Sequence, residues 1–559
     1  MDEIIVWTRP AARVAVGPDG SPAGPELAGL RRALAGVPGR LRPCPGEPGC
    51  LRLVLGDGAG VDPAEVARRL REQAPAAVAG AYVKPPAVPA VFDWSAVERE
   101  QPPAADTPDY ADRQGYLRAS AEGGIGAEAA WELPGGLGDG IGIIDLELDW
   151  ELAHEDLQEG PYRPVENTVD ARRARNHGTS VMGMLVAEHN GLGVNGICPR
   201  ATVAGVAVGR NEWATSTCIR QAALRLGPGA ILLVELQRKP GAADDPGAYL
   251  PLEWWPCDHA AIRFATSRGV IVVAAAGNGA TELGVPPTGA AAGFPRSPWE
   301  PFAPASDSGA ILVGAGAPPP FPHRPGEPPP APRGPDRSAL AFSNHGTRVD
   351  VQGWGWDVTT TGGLDDRGGD LQGGADSLRW YTDGFNGTSS AAPMVAGVLA
   401  CVQGVLRAEG RRLLSPAEAR RLLRGTGRPQ PAGDQRVIGP RPDLEQAIPM
   451  ARELAARPRA TSRRRSGMRV TITIDDGAGV LDPGALELNT NGANAPAPHD
   501  GGLNVSSLDV THVRGPGWEV SGPAGESAFV PVSFDDYQRL KAHFEPEASP
   551  SPDRGAQAS

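Results

Sequence analysis

The stretch of residues 385–400, FNGTSSAAPMVAGVLA, is a polar, glycine-containing turn that runs straight into an apolar helix. Ser389 lies where the turn becomes the helix. Backbone N–H groups at a helix start have no partner within the helix, and the positive end of the helix dipole points at them. A carbonyl oxygen that gained negative charge beside Ser389 would therefore meet hydrogen-bond donors already in position. The segment predicts a buried helix that begins with either a nucleophile or a capping serine.

Residues 119–456 alternate between short apolar runs and amphipathic helical patterns. This alternation predicts an α/β fold, in which a doubly wound parallel sheet carries helices on both faces. Three of the apolar runs end at or near Asp145, Glu235 and Asn278. Because ligands of such sheets bind at the carboxyl ends of the strands, we expect these residues at a binding edge.

Composition divides the rest of the chain into further segments. Residues 1–85 contain strand, helix and strand patterns, which predict a small α/β unit. Residues 468–543 alternate apolar and polar residues, which predicts a β-rich module. Proline-rich residues 86–118 and basic residues 457–467 are typical of linkers, and residues 544–559 are typical of a disordered tail.

The bulk properties argue against several functions. The net charge of −13 and the isoelectric point near 5.3 argue against nucleic acid as a partner. The sequence has neither a signal-peptide pattern nor an apolar run of membrane-spanning length, so we expect a cytoplasmic protein without a membrane partner. The six cysteines form no C-x-x-C pair, which argues against a zinc site. Cys44 and Cys50 could bridge a small loop, but free thiols fit a reducing compartment better.

The string G-T-S-x-A-x-P around Ser389 resembles the nucleophile motif of the subtilisin-like serine peptidases, the subtilases. Three other segments resemble the same family: IGIID, which ends at Asp145 and is followed by H-x-D-L; HGTSV, which begins at His177; and AAGN, which ends at Asn278. The chain order Asp, His, Ser is that of subtilisin, and it differs from the orders in chymotrypsin and in the α/β-hydrolases. The resemblance covers residues 119–456 and implies a subtilisin-like fold.

The resemblance also implies a serine endopeptidase that acts through an acyl-enzyme intermediate. Ser389 would attack the substrate carbonyl, His177 would take its proton and pass it to the leaving amine, and Asp145 would orient the imidazole. The Asn278 amide and the Ser389 N–H would bind the oxyanion. No cofactor is required for this chemistry; structural calcium is possible, but no ligands can be named. A second His-Gly-Thr string, at His345, resembles a structural segment of the family.

The chain departs from the family pattern after its aspartate. Asp145-Leu146-Glu147 stands where the family has Asp-Ser/Thr-Gly, which indicates a divergent bacterial branch. The Glu147 carboxylate either disfavours the ionised form of Asp145 through like-charge repulsion or points outward at the edge of the cleft.

A second departure concerns substrate binding. Glu235-Leu236-Gln237 stands where the family has a Ser-Leu-Gly strand that pairs with the substrate. Glu235 and Gln237 are therefore candidate substrate-binding residues. A carboxylate at the rim of the primary pocket would favour a basic residue before the cleaved bond, unless an internal arginine or lysine holds Glu235.

Two questions stay open at the level of sequence. Residues 1–85 weakly resemble the inhibitory propeptides that precede subtilisin-like domains, which would imply self-cleavage of the N-terminal segment; an unrelated accessory domain fits equally. The expected partner is a peptide or protein substrate. The alternatives are a catalytically weak scaffold, in which the β-rich module binds a partner, and a peptide-maturation or ligation enzyme of the same fold.

Overall fold

The computed structural model describes residues 3–9, 14–16, 20–23, 28–44, 49–56, 60–85, 87–90, 106–157, 172–208, 215–239, 249–284, 300–320, 333–363, 368–456, 474–475, 480–481, 509–513, 517–521 and 527–531. The chain groups into two compact units, residues 1–457 and 458–559.

An antiparallel four-stranded sheet with two helices begins the first unit. The elements of this region are β1 (Glu3–Thr8), β2 (Ala15–Val16), β3 (Pro22–Ala23), α1 (Ala28–Leu34), β4 (Gly39–Pro43), β5 (Cys50–Leu55), α2 (Pro63–Gln73) and β6 (Val78–Lys84). Strands β2 and β3 pair only with each other, in a separate two-stranded sheet. The strand order of the four-stranded sheet is β4-β5-β1-β6. Ile4 and Val6 of β1 pack against Leu30 of α1 and Leu70 of α2 in one apolar cluster, so the two helices cover one face of the sheet.

Six parallel strands form the centre of the first unit. They are β8 (Gly142–Glu147), β9 (Thr202–Ala207), β10 (Ile231–Val234), β13 (Ile271–Ala275), β14 (Ile311–Gly316) and β15 (Val351–Trp354). The order is β15-β14-β13-β10-β8-β9, and every neighbouring pair is parallel. Successive residues point to opposite faces, so Ile143 and Leu233 belong to one apolar cluster and Ile144 and Leu232 to another.

Helices cover both faces of this sheet. They are α3 (Ala127–Trp131), α4 (Arg172–Val186), α5 (Thr215–Arg225), α6 (Pro256–Ser267), α7 (Thr388–Ala408), α8 (Pro416–Thr426) and α9 (Leu444–Ala456). Val181 of α4 and Val398 of α7 join the cluster of Leu233. Ile219 of α5 and Ile262 of α6 join the cluster on the opposite face. The predicted α/β fold with a doubly wound parallel sheet is confirmed.

Helix α7 crosses the larger of the two clusters. Its residues from Thr388 to Leu406 are all buried. By length and hydropathy this helix could cross a membrane, but its most apolar window is 100% buried inside the fold. A position in the core therefore accounts for its apolar composition.

A three-stranded sheet brings the segment after the N-terminal unit to the end of the central sheet. Its strands are β7 (Val88–Pro89), β11 (Leu236–Arg238) and β12 (Leu250–Pro251), in the order β12-β11-β7. Because β11 follows β10 almost directly along the chain, β7 lies at the carboxyl edge of the parallel strands. The hairpin of β16 (Val358–Thr361) and β17 (Tyr381–Phe385) leads into α7.

Residues 86–118, predicted as a linker, are partly built into the fold. Val88 and Pro89 form a strand, and the side chain of Tyr116 is wholly buried. The hydroxyl of Tyr116 donates to the carbonyl of Thr359 over 3.0 Å. Residues 91–105 of this segment lie outside the described residues. Proline content did not reveal that residues 88 and 89 form a strand with a partner.

The described part of the second unit consists of short antiparallel strands. They are β18 (Ile474–Asp475), β19 (Val480–Leu481), β20 (Asp509–Val513), β21 (Gly517–Ser521) and β22 (Ser527–Pro531). These strands fit the predicted β-rich module. The predicted basic linker and C-terminal tail lie outside the described residues.

Candidate active site

Ser389 is the second residue of α7, and its side chain is wholly buried. Its hydroxyl donates to the carbonyl oxygen of Ala90 over 2.8 Å. Its backbone N–H donates to the same oxygen over 3.3 Å. Gly387 forms the helix N-cap with a φ of 98°, a conformation that glycine adopts without steric cost. The turn thus directs a hydroxyl and a helix N–H toward one carbonyl.

The Asn278 amide directs a third donor at the same carbonyl. Asn278 lies just beyond β13, and its Nδ2 donates to the carbonyl oxygen of Ala90. Its Oδ1 accepts from the N–H and the hydroxyl of Thr388, over 2.9 and 3.0 Å. Its own N–H donates to Oε1 of Gln237 over 2.8 Å. These bonds fix the amide plane, so that its NH₂ group faces Ala90.

Residues 88–90 lie along β11 as an extended peptide. In the antiparallel register Pro89 pairs with Leu236, and Val88 pairs with Gln237. The N–H of Ala90 donates to the carbonyl of Glu235 over 2.9 Å. Backbone hydrogen bonds along β11 thus hold the peptide so that the Ala90 carbonyl meets the serine.

Gln237, predicted as a substrate-binding residue, touches this peptide directly. Its Nε2 donates to the carbonyl of Pro89 over 3.1 Å, while its Oε1 accepts from Asn278. One side chain therefore links the bound strand to the asparagine that faces the carbonyl.

His177 lies on α4, and its imidazole is buried against β17. The ring meets the Phe385 ring edge-on, with 5.5 Å between the centroids. Nδ1 contacts Oε1 of Glu147. Neither ring nitrogen has a hydrogen-bond partner among the described residues, so Nδ1 and Oε1 of Glu147 are in close contact without hydrogen-bond geometry. The Ser389 hydroxyl donates to Ala90.

The predicted contact between Asp145 and His177 is replaced by one with Glu147. Oδ2 of Asp145 accepts from the indole N–H of Trp150 over 2.8 Å. Residues 145 and 147 are two apart on β8, so their side chains share a face of the strand. Glu147 is nearer the carboxyl end of the strand and has the longer side chain, which brings its carboxylate to the imidazole.

Three buried carboxyl groups lie together at this edge of the sheet. Asp145, Glu147 and Glu235 are each 0% exposed. Burial raises the pKa of Asp145 well above its usual value, and repulsion from Glu147 raises this pKa further. The hydrogen bond from Trp150 acts in the opposite direction. Burial and like-charge repulsion thus both disfavour the ionised form of Asp145.

Glu235 does not occupy the place that the sequence suggested. Burial, then repulsion from Asp145 and Glu147, raises the pKa of Glu235 well above its usual value. Neither carboxyl oxygen has a hydrogen-bond partner among the described residues, so no arginine or lysine described in the structure holds it. The sequence offered two interpretations of Glu235, as a residue that selects basic side chains and as one half of an internal ion pair. The contacts of the buried Glu235 carboxyl group fit neither. Its backbone carbonyl, rather than its side chain, contacts Ala90.

Glu235→Gln is expected to stabilise the folded protein more at pH 7 than at pH 5. In the unfolded chain a glutamate ionises near pH 4.3, whereas burial keeps the Glu235 pKa raised in the folded protein. The folded state then holds one extra proton above about pH 4.3, so wild-type stability falls as the pH rises toward the raised pKa. Glutamine abolishes this loss, which amounts to at most about 1.4 kcal/mol for each pH unit.

Urea unfolding at the two pH values measures this difference, with Ser389→Ala as the background in every variant to exclude proteolysis. Glu128→Gln replaces an exposed glutamate and is the control, for which we expect no pH-dependent gain. A gain from Glu235→Gln that is the same at both pH values would contradict the raised pKa.

The second His-Gly-Thr string lies apart from these residues. His345 forms a short β-bridge with Glu282, and its Nδ1 lies 3.5 Å from a guanidinium nitrogen of Arg436. No hydrogen bond or ion pair described in the structure joins it to Ser389, Asn278 or Glu147. Of the two imidazoles, His177 contacts Glu147 and His345 does not, and neither forms a hydrogen bond with Ser389 among the described residues.

The doubly wound parallel sheet, with Ser389 at the start of a buried helix beyond its carboxyl ends, places the protein in the class of α/β proteins with a subtilisin-like fold. More particularly, the chain belongs to the Subtilase family, whose model matches residues 140–440. The family resemblance found in the sequence is thereby confirmed.

Individual relatives match over part of their length. The thermophilic serine proteinase of Bacillus sp. (strain AK1) is 29% identical over 329 residues, which is 56% of this chain and 63% of that proteinase. The chain thus spans less than two thirds of this relative. The structure of fervidolysin from Fervidobacterium pennivorans, a keratinolytic enzyme related to subtilisin, aligns with a TM-score of 0.47 and 17% identity, over 80% of this chain and 60% of that one. Proteases from Pseudoalteromonas arctica align with a TM-score of 0.42 and 21% identity, over 62% of this chain and 100% of theirs.

Proposed function

We propose that the protein is a serine endopeptidase whose first substrate is its own chain, cut between Ala90 and Val91. One observation carries the proposal: the carbonyl oxygen of Ala90 accepts hydrogen bonds from the Ser389 hydroxyl, the Ser389 N–H and the Asn278 amide. A carbonyl held by two fixed donors beside a hydroxyl is arranged for attack, because the same donors would stabilise the oxyanion that forms.

The reaction uses groups of this chain and one water molecule. The Ser389 hydroxyl turns its proton from Ala90 to Nε2 of His177, and its oxygen adds to the Ala90 carbonyl carbon. Collapse of the tetrahedral intermediate breaks the bond to the nitrogen of Val91, which takes the proton back from His177 as it leaves. Water then adds to the acyl-enzyme with His177 as base, and the Ala90 carboxylate and the Ser389 hydroxyl are released.

Glu147 acts as the carboxylate that orients His177 in this proposal. Its carboxylate lies against Nδ1, and by accepting the N–H there it would fix the tautomer that leaves Nε2 able to accept the serine proton. Burial, and then repulsion from Glu147, raises the pKa of Asp145, which disfavours a second negative charge beside Glu147. The role that the family motif gives to the aspartate thus moves two residues along β8.

The segment in the cleft also indicates the preferred substrates. Ala90 precedes the bond to be cut, and its side chain is 0% exposed. Its pocket therefore holds a methyl group, and we propose a preference for small aliphatic residues at that position in other proteins. A cytoplasmic location and the absence of a nucleic-acid or membrane partner remain predictions from the sequence.

Incubation of the purified chain tests the proposal. We expect a larger fragment whose N-terminal sequence begins VFDWS, and a fluorophosphonate inhibitor should prevent its formation. Ala90→Asp places a charge in the buried pocket and should slow the cut at least about 10-fold. Ala87→Asp, three residues upstream, is the matched control and should cut at nearly the wild-type rate.

Other results would contradict the proposal. A scaffold would leave the chain intact, and a ligating enzyme would join the Ala90 acyl group to an added amine instead of water, which intact mass spectrometry detects. A new N-terminus elsewhere, or equal slowing by both substitutions, would reject Ala90 as the site of the cut.

A further inference from the structure

Three cysteines meet between the N-terminal sheet and helix α6. Cys44 follows β4, Cys50 begins β5 and Cys257 is the second residue of α6. The Cys50 sulfur lies 3.0 Å from that of Cys44 and 3.1 Å from that of Cys257. All three sulfurs lie within 4.8 Å of one another, all are buried, and none forms a disulfide. This cluster has no part in the proposed peptidase chemistry.

We propose that the Cys44–Cys50–Cys257 cluster binds a thiophilic d10 metal ion such as Zn²⁺. Soft thiolate ligands select such ions. Zinc–sulfur bonds of about 2.3 Å in a tetrahedron separate the sulfurs by about 3.8 Å. The Cys50–Cys44 and Cys50–Cys257 pairs, now 3.0 and 3.1 Å apart, would each open by less than about 1 Å to reach that spacing. A disulfide would use two of the three thiols and leave the third without a role, whereas one ion uses all of them.

Burial raises the pKa of the Cys50 thiol well above its usual value, and the hydrogen bond with Cys44 raises the pKa of Cys257. Positively charged groups around the cluster act in the opposite direction. Cys257 lies in the first turn of α6, where helix N–H groups and the positive end of the helix dipole stabilise a thiolate. The positive charges of Lys84 and Arg52 act on Cys44 in the same direction. Three thiols release three protons when they bind Zn²⁺, and the resulting complex carries one net negative charge that these cations offset.

The metal would join two parts of the molecule that are already docked. Lys84 of β6 forms a buried ion pair with Asp258 of α6 over 2.9 Å, and Arg238 of β11 contacts the other oxygen of that carboxylate over 3.3 Å. A single ion would add bonds from the N-terminal sheet, through Cys44 and Cys50, to α6. If the chain is cut after Ala90, as proposed above, the ion would hold the two fragments together.

Cobalt titration tests the site without any need for peptidase activity. The reduced Ser389→Ala chain, stripped with a chelator, should bind one Co²⁺ with sulfur-to-cobalt charge-transfer absorption in the near ultraviolet. Zn²⁺ should displace it. Cys257→Ser should weaken binding at least about 100-fold, whereas Cys198→Ser, a buried cysteine in the opposite cluster, should leave it unchanged.

A chemical measurement keeps the proposal testable if a substitution prevents folding. In the chain with all six cysteines, Zn²⁺ should protect Cys44, Cys50 and Cys257 from alkylation, as read by peptide mass mapping. Three results would each overturn the site: absence of charge-transfer absorption, equal alkylation with and without Zn²⁺, or recovery of a disulfide within the cluster after purification under reducing conditions.

In the cut wild-type protein, a chelator should speed release of the N-terminal fragment at least 10-fold, and an unchanged release rate would overturn the joining role.

Discussion

Ser389→Ala is expected to abolish self-cleavage and to lower kcat toward other peptides by about 10⁴–10⁶-fold. The hydroxyl is the only group among the described residues that contacts the Ala90 carbonyl and could form a bond to it, because the other two donors are N–H groups. Intact mass spectrometry over time, and a fluorophosphonate probe that labels the wild type alone, measure the loss.

The neighbouring serine supplies the control for this prediction. The Ser390 hydroxyl donates to the carbonyl of Trp354 over 2.8 Å, and away from Ala90. Ser390→Ala should cost some stability but retain cleavage after Ala90. If the Ser389→Ala chain were cut at the wild-type rate, the nucleophile would have to be another residue.

Glu147→Gln is expected to lower kcat by about 10³–10⁴-fold while leaving KM nearly unchanged. A glutamine amide can donate as well as accept, so it no longer dictates which imidazole nitrogen carries the proton. It also cannot stabilise the imidazolium that forms during attack. The comparison requires kcat and KM for a short peptide that ends in alanine before the cut bond, measured after removal of the N-terminal segment.

Asp145→Asn is the informative comparison, because it removes a carboxyl from the same face of the same strand. We expect less than a 10-fold loss of kcat, since the Trp150 indole can still donate to the asparagine oxygen. If instead Asp145→Asn proved the more damaging change, the aspartate would be the orienting group and His177 would have to shift toward it in the reactive state.

The fold, and the positions of three candidate site residues within it, could be predicted because local sequence determines them. The turn before α7 needs a glycine at positive φ and then a serine, and the run into Asn278 is a buried strand that must end at the sheet edge. Each of these features lies within a few consecutive residues, so periodicity and turn chemistry identify it. The same holds for His177, which begins a short string on α4.

The features that were missed depend on contacts between distant segments. Alternation along β8 shows that Asp145 and Glu147 share a face of the strand. The hydrogen bond from the Trp150 indole and the position of α4 determine which of the two carboxyl groups contacts the imidazole. Proline content marked residues 86–118 as a linker and gave no sign that Ala90 occupies the cleft. The absence of a C-x-x-C pair argued against a zinc site, because Cys257 lies 207 residues from Cys50 and only the folded chain brings these thiols together. The metal that we assign to them is a proposal.

The occupation of the cleft by residues 88–90 bears on the timing of activity. A substrate can bind only after the strand of residues 88–90 has left the cleft. The delay before turnover would therefore be independent of the substrate concentration. That delay would instead follow a first-order rate constant for departure of the N-terminal fragment. Two preparations of the protein at different concentrations would then become active after the same delay.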